Sequence, residues 1–516
     1  MTITTDKKAI IDIGSNSIRL VVYSYSPSHG LVEHHNFKTV ARLSMYIQQN
    51  GELSEDGIHV LIETLKKFKE VLLAIQVDDV FAAATAAIRQ AINREEIVAL
   101  VEKEIGFQLM VLSTDQEAYF GYLAVTHSTN IHMAVTIDMG GGSTEVTYFE
   151  DKKLIYSHSF PFGAVSLKSK FIKGSMITSQ EINHLRKFVQ DQFESLEWLK
   201  DLQAPIIAIG GSARNIVQVD QQRKNFALNG THQYELKRKD LAEISDHFAA
   251  CSLEDLKKID GLSSDRADII LPALETFRVF MDVIDSTTFS YSKKGLREGI
   301  IITQLMELFP TNFNVSEVTS KAIRQMLGKF GVMEDSALHL YDIFYPIYTQ
   351  FCEWGYIEPL ENEAFLQYAY QLFHIGEHID RDGSSQHTFY LLTNITIDGL
   401  SNKERLKLAL LASFKNRNTF KQYVNVYPNI IPEEEYHQLR DIGALIKFVH
   451  GIDVMGKSNI RNVTLNKCKE TINITFHVSE NYLLEKYHAE KLKKHVEKIS
   501  TSEVIIEFDM EEIMNE

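Results

Sequence analysis

Two stretches of this chain carry the same pattern, and that repeat restricts the fold more than anything else in the sequence. Residues 9–25, Ala-Ile-Ile-Asp-Ile-Gly-Ser-Asn-Ser-Ile-Arg-Leu-Val-Val-Tyr-Ser-Tyr, read as a strand, an Asp-x-Gly turn and a second strand. Val135-Thr136-Ile137-Asp138-Met139-Gly140-Gly141-Gly142-Ser143-Thr144-Glu145 reads the same way, its second strand running from Val146 to Phe149. The two superpose at an offset of 126 residues: Asp12 on Asp138, Gly14 on Gly140, Ser17 on Ser143, and Arg19 opposite Glu145. Two such turns in phase, each opening a domain-sized segment, imply a duplicated α/β unit.

Three consecutive glycines cost backbone entropy and mark a place where side chains must be absent. Bare amides there can bind an anion; the alternative is a Gly-rich hairpin with no ligand. Aspartate enters the second turn and glutamate leaves it, and carboxylates beside a phosphate need a cation between them, typically magnesium. Two turns facing each other would hold a phosphate chain, with Arg19 supplying a cation on one wall and Glu145 a metal-binding carboxylate on the other.

The periodicity predicts a helix over 54–75, with Ile58, Leu61, Ile62, Leu65 and Phe68 on one face. A small-residue strand over Val80–Thr85 leads into a helix carrying Arg89 and Arg94. Arg89 could reach a phosphate bidentately, or lie solvated on the helix surface. After a strand at Met110–Leu112 a helix begins, with Ser113, Thr114 or Asp115 as its cap. Glu117 in its first turn is either a partner for the helix dipole or, by its place at the hinge between the units, a catalytic carboxylate.

The second unit continues through Gly163 at a strand-to-helix junction and a polar helix over 180–199. Pro205–Ile209 then opens through Gly210, Gly211 and Ser212 onto a helix N-terminus, another anion-friendly arrangement. A polar loop is expected over 221–231, a capped helix over 262–280, a strand at Thr288–Ser292, and a helix from Gly295 to about Phe309. After Pro310 the pattern is helical to about residue 450, and from Ile460 it returns to strands around a basic helix, Tyr482–Lys498. The lysines of that helix, Lys491, Lys493, Lys494 and Lys498, form a solvated face or guide a long polyanion.

The chain's 516 residues exceed what one core accommodates. A net charge of −16 argues against non-specific nucleic-acid binding, so a polyanionic substrate would need a local basic lining or metal ions. No window approaches a membrane span, and the N-terminus lacks a signal-peptide core. Three scattered cysteines, Cys251, Cys352 and Cys468, fit a reducing cytoplasm.

Taken in order, these motifs resemble the exopolyphosphatase/guanosine pentaphosphate phosphatase family, whose core belongs to the actin, heat-shock chaperone and sugar-kinase superfamily. Asp12–Ser17 and Asp138–Glu145 resemble the family's two phosphate loops, and Ala84–Arg89 its strand-end motif with a phosphate-binding arginine. Gln116-Glu117-Ala118 stands where the family has Glu-Glu-Ala, and Phe162–Val165, Gly210–Ser212 and Leu296–Gly299 match further segments. The resemblance implies an α/β fold of two actin-like (ribonuclease-H-like) domains, residues 1–125 and 126–310. An all-α HD-like domain over 311–450 and a small α+β domain over 451–516 would follow.

It implies removal of a terminal phosphate by water, with Glu117 as general base and magnesium held by Asp138 and Glu145, joined by Asp12. Manganese is the alternative metal, and a monovalent cation such as potassium a further one. Gly14, Ser15, Asn16, Ser17, Arg89, Gly140, Gly141, Gly142, Ser143, Gly210, Gly211 and Ser212 would bind phosphates. In the helical domain the family's Leu-His-Asp/Glu-x-Gly is replaced by Leu372-Phe373-His374-Ile375-Gly376. Phe373 cannot ligate a metal, so no second phosphohydrolase site is expected there, and His378 and His387 read as structural or surface histidines.

The expected protein is a cytoplasmic, homodimeric exopolyphosphatase releasing orthophosphate from inorganic polyphosphate, without nucleic acid or stable membrane insertion. The alternatives are hydrolysis of the 5′ triphosphate of guanosine pentaphosphate, and a non-catalytic sensor of polyphosphate or guanosine tetraphosphate.

Overall fold

Asp12 and Asp138 sit at equivalent points of two sheets that are wound the same way. The computed structural model describes residues 7–174, 177–332, 334–428, 430–453 and 459–510. The lead-in read above as lacking a signal-peptide core lies largely in residues 1–6, outside the described residues. The chain divides into two compact units, residues 1–226 with 231–319, and 320–516 with 227–230.

The first unit contains both sheets. Its first lobe comprises β1 (Lys8–Ile13), β2 (Ser17–Ser26), β3 (Gly30–Val40), α1 (Glu55–Ala74), β4 (Asp79–Ala84), α2 (Ala86–Gln90), α3 (Arg94–Ile105) and β5 (Leu109–Val111). The second lobe is entered through α4 (Thr114–Thr126) and continues with β6 (Ala134–Met139), β7 (Thr144–Glu150), β8 (Lys153–Phe160), α5 (Ala164–Phe171) and α6 (Ser179–Glu194). Next come β9 (Ile206–Ile209), α7 (Gly210–Arg223), β10 (Glu235–Lys237), α8 (Arg238–Ala249), α9 (Leu253–Leu256), α10 (Ile270–Ile284), β11 (Thr288–Tyr291) and α11 (Leu296–Leu308). The strand orders are β3-β2-β1-β4-β5 and β10-β11-β9-β6-β7-β8. In each, an antiparallel hairpin is followed by a parallel return strand, β4 beside β1 and β9 beside β6. The duplication read from the sequence is therefore a duplication of topology.

Strand alternation decides where the functional side chains point. Successive residues face opposite sides of a sheet. In β1, Ala9, Ile11 and Ile13 join the first lobe's own core, while Ile10 faces a shared core. Asp12 has the parity of Ile10. In β6, Val135, Ile137 and Met139 join the second lobe's core and Ala134 the shared one, which gives Asp138 the parity of Ala134. The shared core is made largely by α4 and α11, through Tyr122, Leu123, Val125, Ile300, Ile301 and Leu305. Both aspartates thus emerge on the inner faces, toward the layer that carries Glu117.

That layer requires a glycine. A Cβ at Gly299 of α11 would lie 2.0 Å from the Phe120 carbonyl oxygen of α4, so the helices cross at a distance only glycine permits. The β7–β8 turn also anchors α4. The buried Lys152 ammonium donates to the carbonyls of Thr126, Thr129 and Val315 at 3.2, 2.6 and 2.7 Å.

Several elements differ from the sequence reading. The helix expected to carry both Arg89 and Arg94 is two helices, because Asn93 uses its side chain to bind both the amide and the carbonyl of Leu53. The first cap candidate is the one used: Ser113 accepts from Gln116 N in a capping box. Helix α7 runs to Arg223, into the expected loop. Over 262–280 the α-helix starts only at Ile270, since Ser263 is bound to Asn215 and Asp265 to Lys38 across the lobes.

The second unit is built from α12 (Val318–Lys329), α13 (Glu334–Glu353), α14 (Ala364–Gln371), α15 (Ser384–Asn394), α16 (Asn402–Ala412), α17 (Arg417–Val426) and α18 (Glu433–His450). A sheet of β12 (Ile460–Cys468), β13 (Thr471–Val478) and β14 (Glu503–Met510) follows, with α19 (Leu483–Leu492) and α20 (Lys494–Ser500) between the last two strands. The basic helix of the sequence reading is thus two helices, parted at Lys493. At the altered HD-like segment, Phe373 stacks on His374 at 4.2 Å, and His374 lies 3.7 Å from Glu377. Burial pushes His450, packed against Phe373, down to about 4. His378 is exposed and meets Phe330 edge-on. No described helix is long and apolar enough to cross a membrane.

Candidate functional site

The two Asp-x-Gly turns are built alike. Gly14 N donates to Ser17 O at 3.1 Å and Gly140 N to Ser143 O at 3.0 Å. Pairing across the hairpins sets Asp12 opposite Arg19 and Asp138 opposite Glu145. The carbonyls at both turns are already occupied. Ser15 O and Asn16 O accept from the amides of Ser44 and Arg42, while Gly140 O and Gly141 O accept from Ala164, Val165 and Ser166 at the start of α5. A Cβ on Gly163 would meet Gly140 O at 2.6 Å, which explains the glycine before α5.

The turns meet tip to tip. A Cβ on Gly141 would lie 3.0 Å from Ser15 Cβ, and one on Gly142 3.1 Å from Ser15 Oγ. The three-glycine run is therefore explained by close approach of the other loop, whatever else approaches it. Gly210, at φ +92°, holds the turn into α7 against Asp138, whose Oδ1 a Cβ would meet at 2.8 Å. Ser212 Oγ accepts from Arg266, and that guanidinium covers Gly211 at 2.2 Å from its would-be Cβ.

At the roots of the turns the structure brings together Asp12, Glu117, Asp138 and Glu145. Arg89 Nη1 donates to Glu117 Oε2 at 2.7 Å and to Leu112 O at 3.0 Å, so Arg89 is not a solvated surface residue but is held beside the Glu117 carboxylate. Ser159 donates to Glu145 Oε1 at 2.9 Å. Burial pushes the Glu117 carboxyl up, and Asp12 adds to the rise while Arg89 opposes it. Asp138 is pushed up to about 7 by burial, then by Glu117 and Asp12, against Arg297 and Arg266. Glu145 rises well above the carboxylate range through burial, Glu117 and Asp138, with only hydrogen bonds from Ser143 and Ser159 opposing. Asp12 is raised by burial, with Arg297 and Arg19 holding it back.

The sequence reading did not assign three arginines to the site: Arg214, Arg266 and Arg297. Burial, Arg214 and Arg19 lower the Arg266 guanidinium to about 10, against the pull of Asp265. Burial, Arg297 and Arg214 lower Arg19. These mutual repulsions describe a buried cluster of positive charge, and the Nε atoms of Arg214 and Arg266 have no hydrogen-bond partner. Arg214 carried a signal, since it follows Gly-Gly-Ser in the first turn of a helix. Arg266 and Arg297 are brought in by segments far along the chain, and no local spacing marks them.

Like-charged carboxylates buried together are expensive unless something positive joins them. Among the described residues no group of three or more His, Cys, Asp or Glu side chains is placed to hold a metal ion. The cluster instead fits a magnesium ion, which is held by one or two carboxylates with water and substrate phosphates completing the shell. Asp138 and Glu145 are the candidates, since the hairpin register sets these two carboxylates directly across from each other and both are raised. Carboxylates that could hold a metal and an arginine cluster beside two glycine turns form a constellation suited to phosphoryl transfer, where positioning and charge stabilisation do most of the work.

The comparisons with known proteins agree. The model of the Ppx/GppA phosphatase family matches residues 21–308, and that of Ppx/GppA phosphatase domain III residues 318–494. A guanosine-5′-triphosphate,3′-diphosphate pyrophosphatase of Pseudoalteromonas atlantica is 24% identical over 406 residues, 77% of this chain and 77% of that one. The crystal structure of the Aquifex aeolicus member of the Ppx/GppA family matches with a TM-score of 0.53 and 26% identity, over 60% of this chain and 99% of that one. An exopolyphosphatase structure from Cytophaga hutchinsonii shares the fold, with a TM-score of 0.53 at 19% identity over 58% and 98% of the two chains. With its duplicated, actin-like pair of lobes, its helical second unit and family models matching most of its length, this chain belongs to the Ppx/GppA phosphatase family.

Proposed function

We propose that this member is an exopolyphosphatase, hydrolysing the terminal phosphate of inorganic polyphosphate to orthophosphate. One observation carries the reading: around four carboxylates, Glu145 buried and Asp12, Glu117 and Asp138 half-buried, the site gathers arginines and loop amides, groups that recognise repeated phosphates. The terminal phosphate would lie on the amides that follow Gly14 and Gly140 in the two turns, those two being already bonded within the turns. Glu117, one oxygen fixed by Arg89, would take a proton from the water that attacks phosphorus. The water oxygen forms the new P–O bond as the anhydride P–O bond breaks, and Arg19, Arg214, Arg266 and Arg297 accommodate the charge left on the departing chain. Magnesium, held by Asp138 and Glu145, would neutralise charge on the non-bridging oxygens.

The second reading, a 5′-phosphohydrolase of guanosine pentaphosphate, is favoured by the relative from Pseudoalteromonas atlantica, which spans most of this chain. Orthophosphate release from long-chain polyphosphate and from guanosine pentaphosphate, with magnesium at matched concentrations, separates the two. A higher kcat/KM on polyphosphate is expected, and Glu117→Gln should lower kcat by ~10²–10⁴-fold with binding retained. Preference for the nucleotide would replace the first reading by the second. Binding without hydrolysis of either substrate would make the protein a sensor.

A further inference from the structure

Past the tips of the turns lies a cavity of about 700 Å³ whose wall includes Ser15, Asn16 and Gly142 but none of the four carboxylates at the roots. Its charged groups are Arg42, Lys168, Lys170 and Lys173, against the single carboxylate Asp268. Arg42 and Lys168 reach the same oxygen of that carboxylate, Oδ2, at 3.4 and 3.1 Å. Its other oxygen, Oδ1, is buried without a hydrogen bond. Lys170 lies over the Phe188 ring at 3.7 Å. Asn16, 8% exposed, likewise buries its Nδ2 donor without a partner.

Buried polar atoms are nearly always satisfied, so an orphaned donor on a cavity wall points to an acceptor that arrives from outside. Four cations and an unpaired amide on a wall with one carboxylate, which Arg42 and Lys168 reach, describe a place for an oxyanion. The loop tips separate this basic region from the arginine cluster at the roots. A molecule with its reacting phosphate at the roots could rest phosphates several bonds away in the cavity.

We propose that the cavity is a second oxyanion subsite, which takes phosphate groups of the substrate remote from the scissile anhydride, and that Asp268 holds Arg42 and Lys168 until those groups displace it. The inference rests on the two turns being a phosphate cradle. The same chemistry suits the inner phosphates of a polyphosphate chain and the 3′-diphosphate of a guanosine nucleotide.

The test compares wild type, Arg42→Ala, Lys168→Ala, Lys168→Arg and Asp268→Asn on long-chain polyphosphate, tripolyphosphate, guanosine pentaphosphate and GTP, with magnesium. Loss of one charge-assisted contact is expected to raise the ratio of KM for long chains over tripolyphosphate about tenfold in either alanine variant. Lys168→Arg should restore the ratio, and Asp268→Asn should lower it. If the ratio shifts instead between guanosine pentaphosphate and GTP, the subsite serves the 3′-diphosphate. Unchanged ratios in both alanine variants for both pairs, or equal losses on all four substrates, overturn the proposal. Calorimetry without divalent metal gives the same ratios as dissociation constants, so the subsite is read even if wild type hydrolyses nothing and the proposed activity fails.

Discussion

Asp138 is where the folded protein gives up stability to keep a charge site, and replacing it should reveal by how much. Its carboxyl is raised from 3.8 to about 7. At about 1.36 kcal/mol per unit, that is of the order of 4 kcal/mol between the protonated and ionised forms. The folded state holds its proton more tightly than the unfolded chain, so the associated stability is fully present below pH ~3.8 and is lost as pH rises through about 7. Asp138→Asn keeps the shape and removes the charge. Without metal at pH 8 the variant should therefore be more stable than wild type, and at pH 4 the two should nearly coincide. For a unit of roughly 300 residues, 4 kcal/mol corresponds to about 6 °C in Tm. Differential scanning calorimetry of the full chain across pH 4–8 measures this. Magnesium should raise the wild-type Tm at pH 8 by mass action and leave the variant unmoved. A variant less stable than wild type at pH 8, or a wild-type Tm rising from pH 5 to 8 relative to the variant, would refute the reasoning.

Two further outcomes follow from named contacts. Arg89 opposes the rise of the Glu117 carboxyl, so Arg89→Gln should move the acidic limb of the kcat/KM profile to higher pH, which a pH–rate series detects. Gly299→Ala places a methyl 2.0 Å from the Phe120 carbonyl. Overpacking of this kind costs ~1–3 kcal/mol, so the variant should lower Tm and, because α4 carries Glu117, kcat as well. A fully active Gly299→Ala protein of unchanged Tm would contradict the close crossing of α4 and α11.

The parts of this molecule that could be read from sequence are those whose reason is local. Each Asp-x-Gly turn is a hairpin whose geometry is set within a few residues. Two in phase gave the duplicated strand order, and the alternation of side chains along β1 and β6 put both aspartates on the inner faces. Glu117 could be placed at the hinge because its helix start has a local cap, Ser113. The interruption between α2 and α3 could not be read, because Asn93 is committed to the backbone of Leu53, forty positions away. Nor could the roles of Arg266 and Arg297, which enter the site only once α7, α10 and α11 have packed. The same holds for Arg89, whose partner Glu117 lies on another helix. In the second unit the apolar Phe373 at the position of a family histidine was legible, but the burial of His450 beside it was not.

One position explains why the two halves of a repeated motif do different things. At the seventh residue after the aspartate the first hairpin has Arg19 and the second has Glu145, and the register sets each directly across from its aspartate. Arg19 therefore offsets part of what raises Asp12. Across the second hairpin Asp138 adds to the rise of Glu145, which hydrogen bonds from Ser143 and Ser159 oppose. The first hairpin pairs a carboxylate with a cation and the second pairs two carboxylates. A divalent ion entering such a cleft would lower the energy most at the second wall, where two carboxylates stand directly across from each other. On the proposed function, a phosphate chain would be repelled by that wall until an ion arrived and attracted by Arg19 opposite, so the asymmetry itself would align it across the cleft.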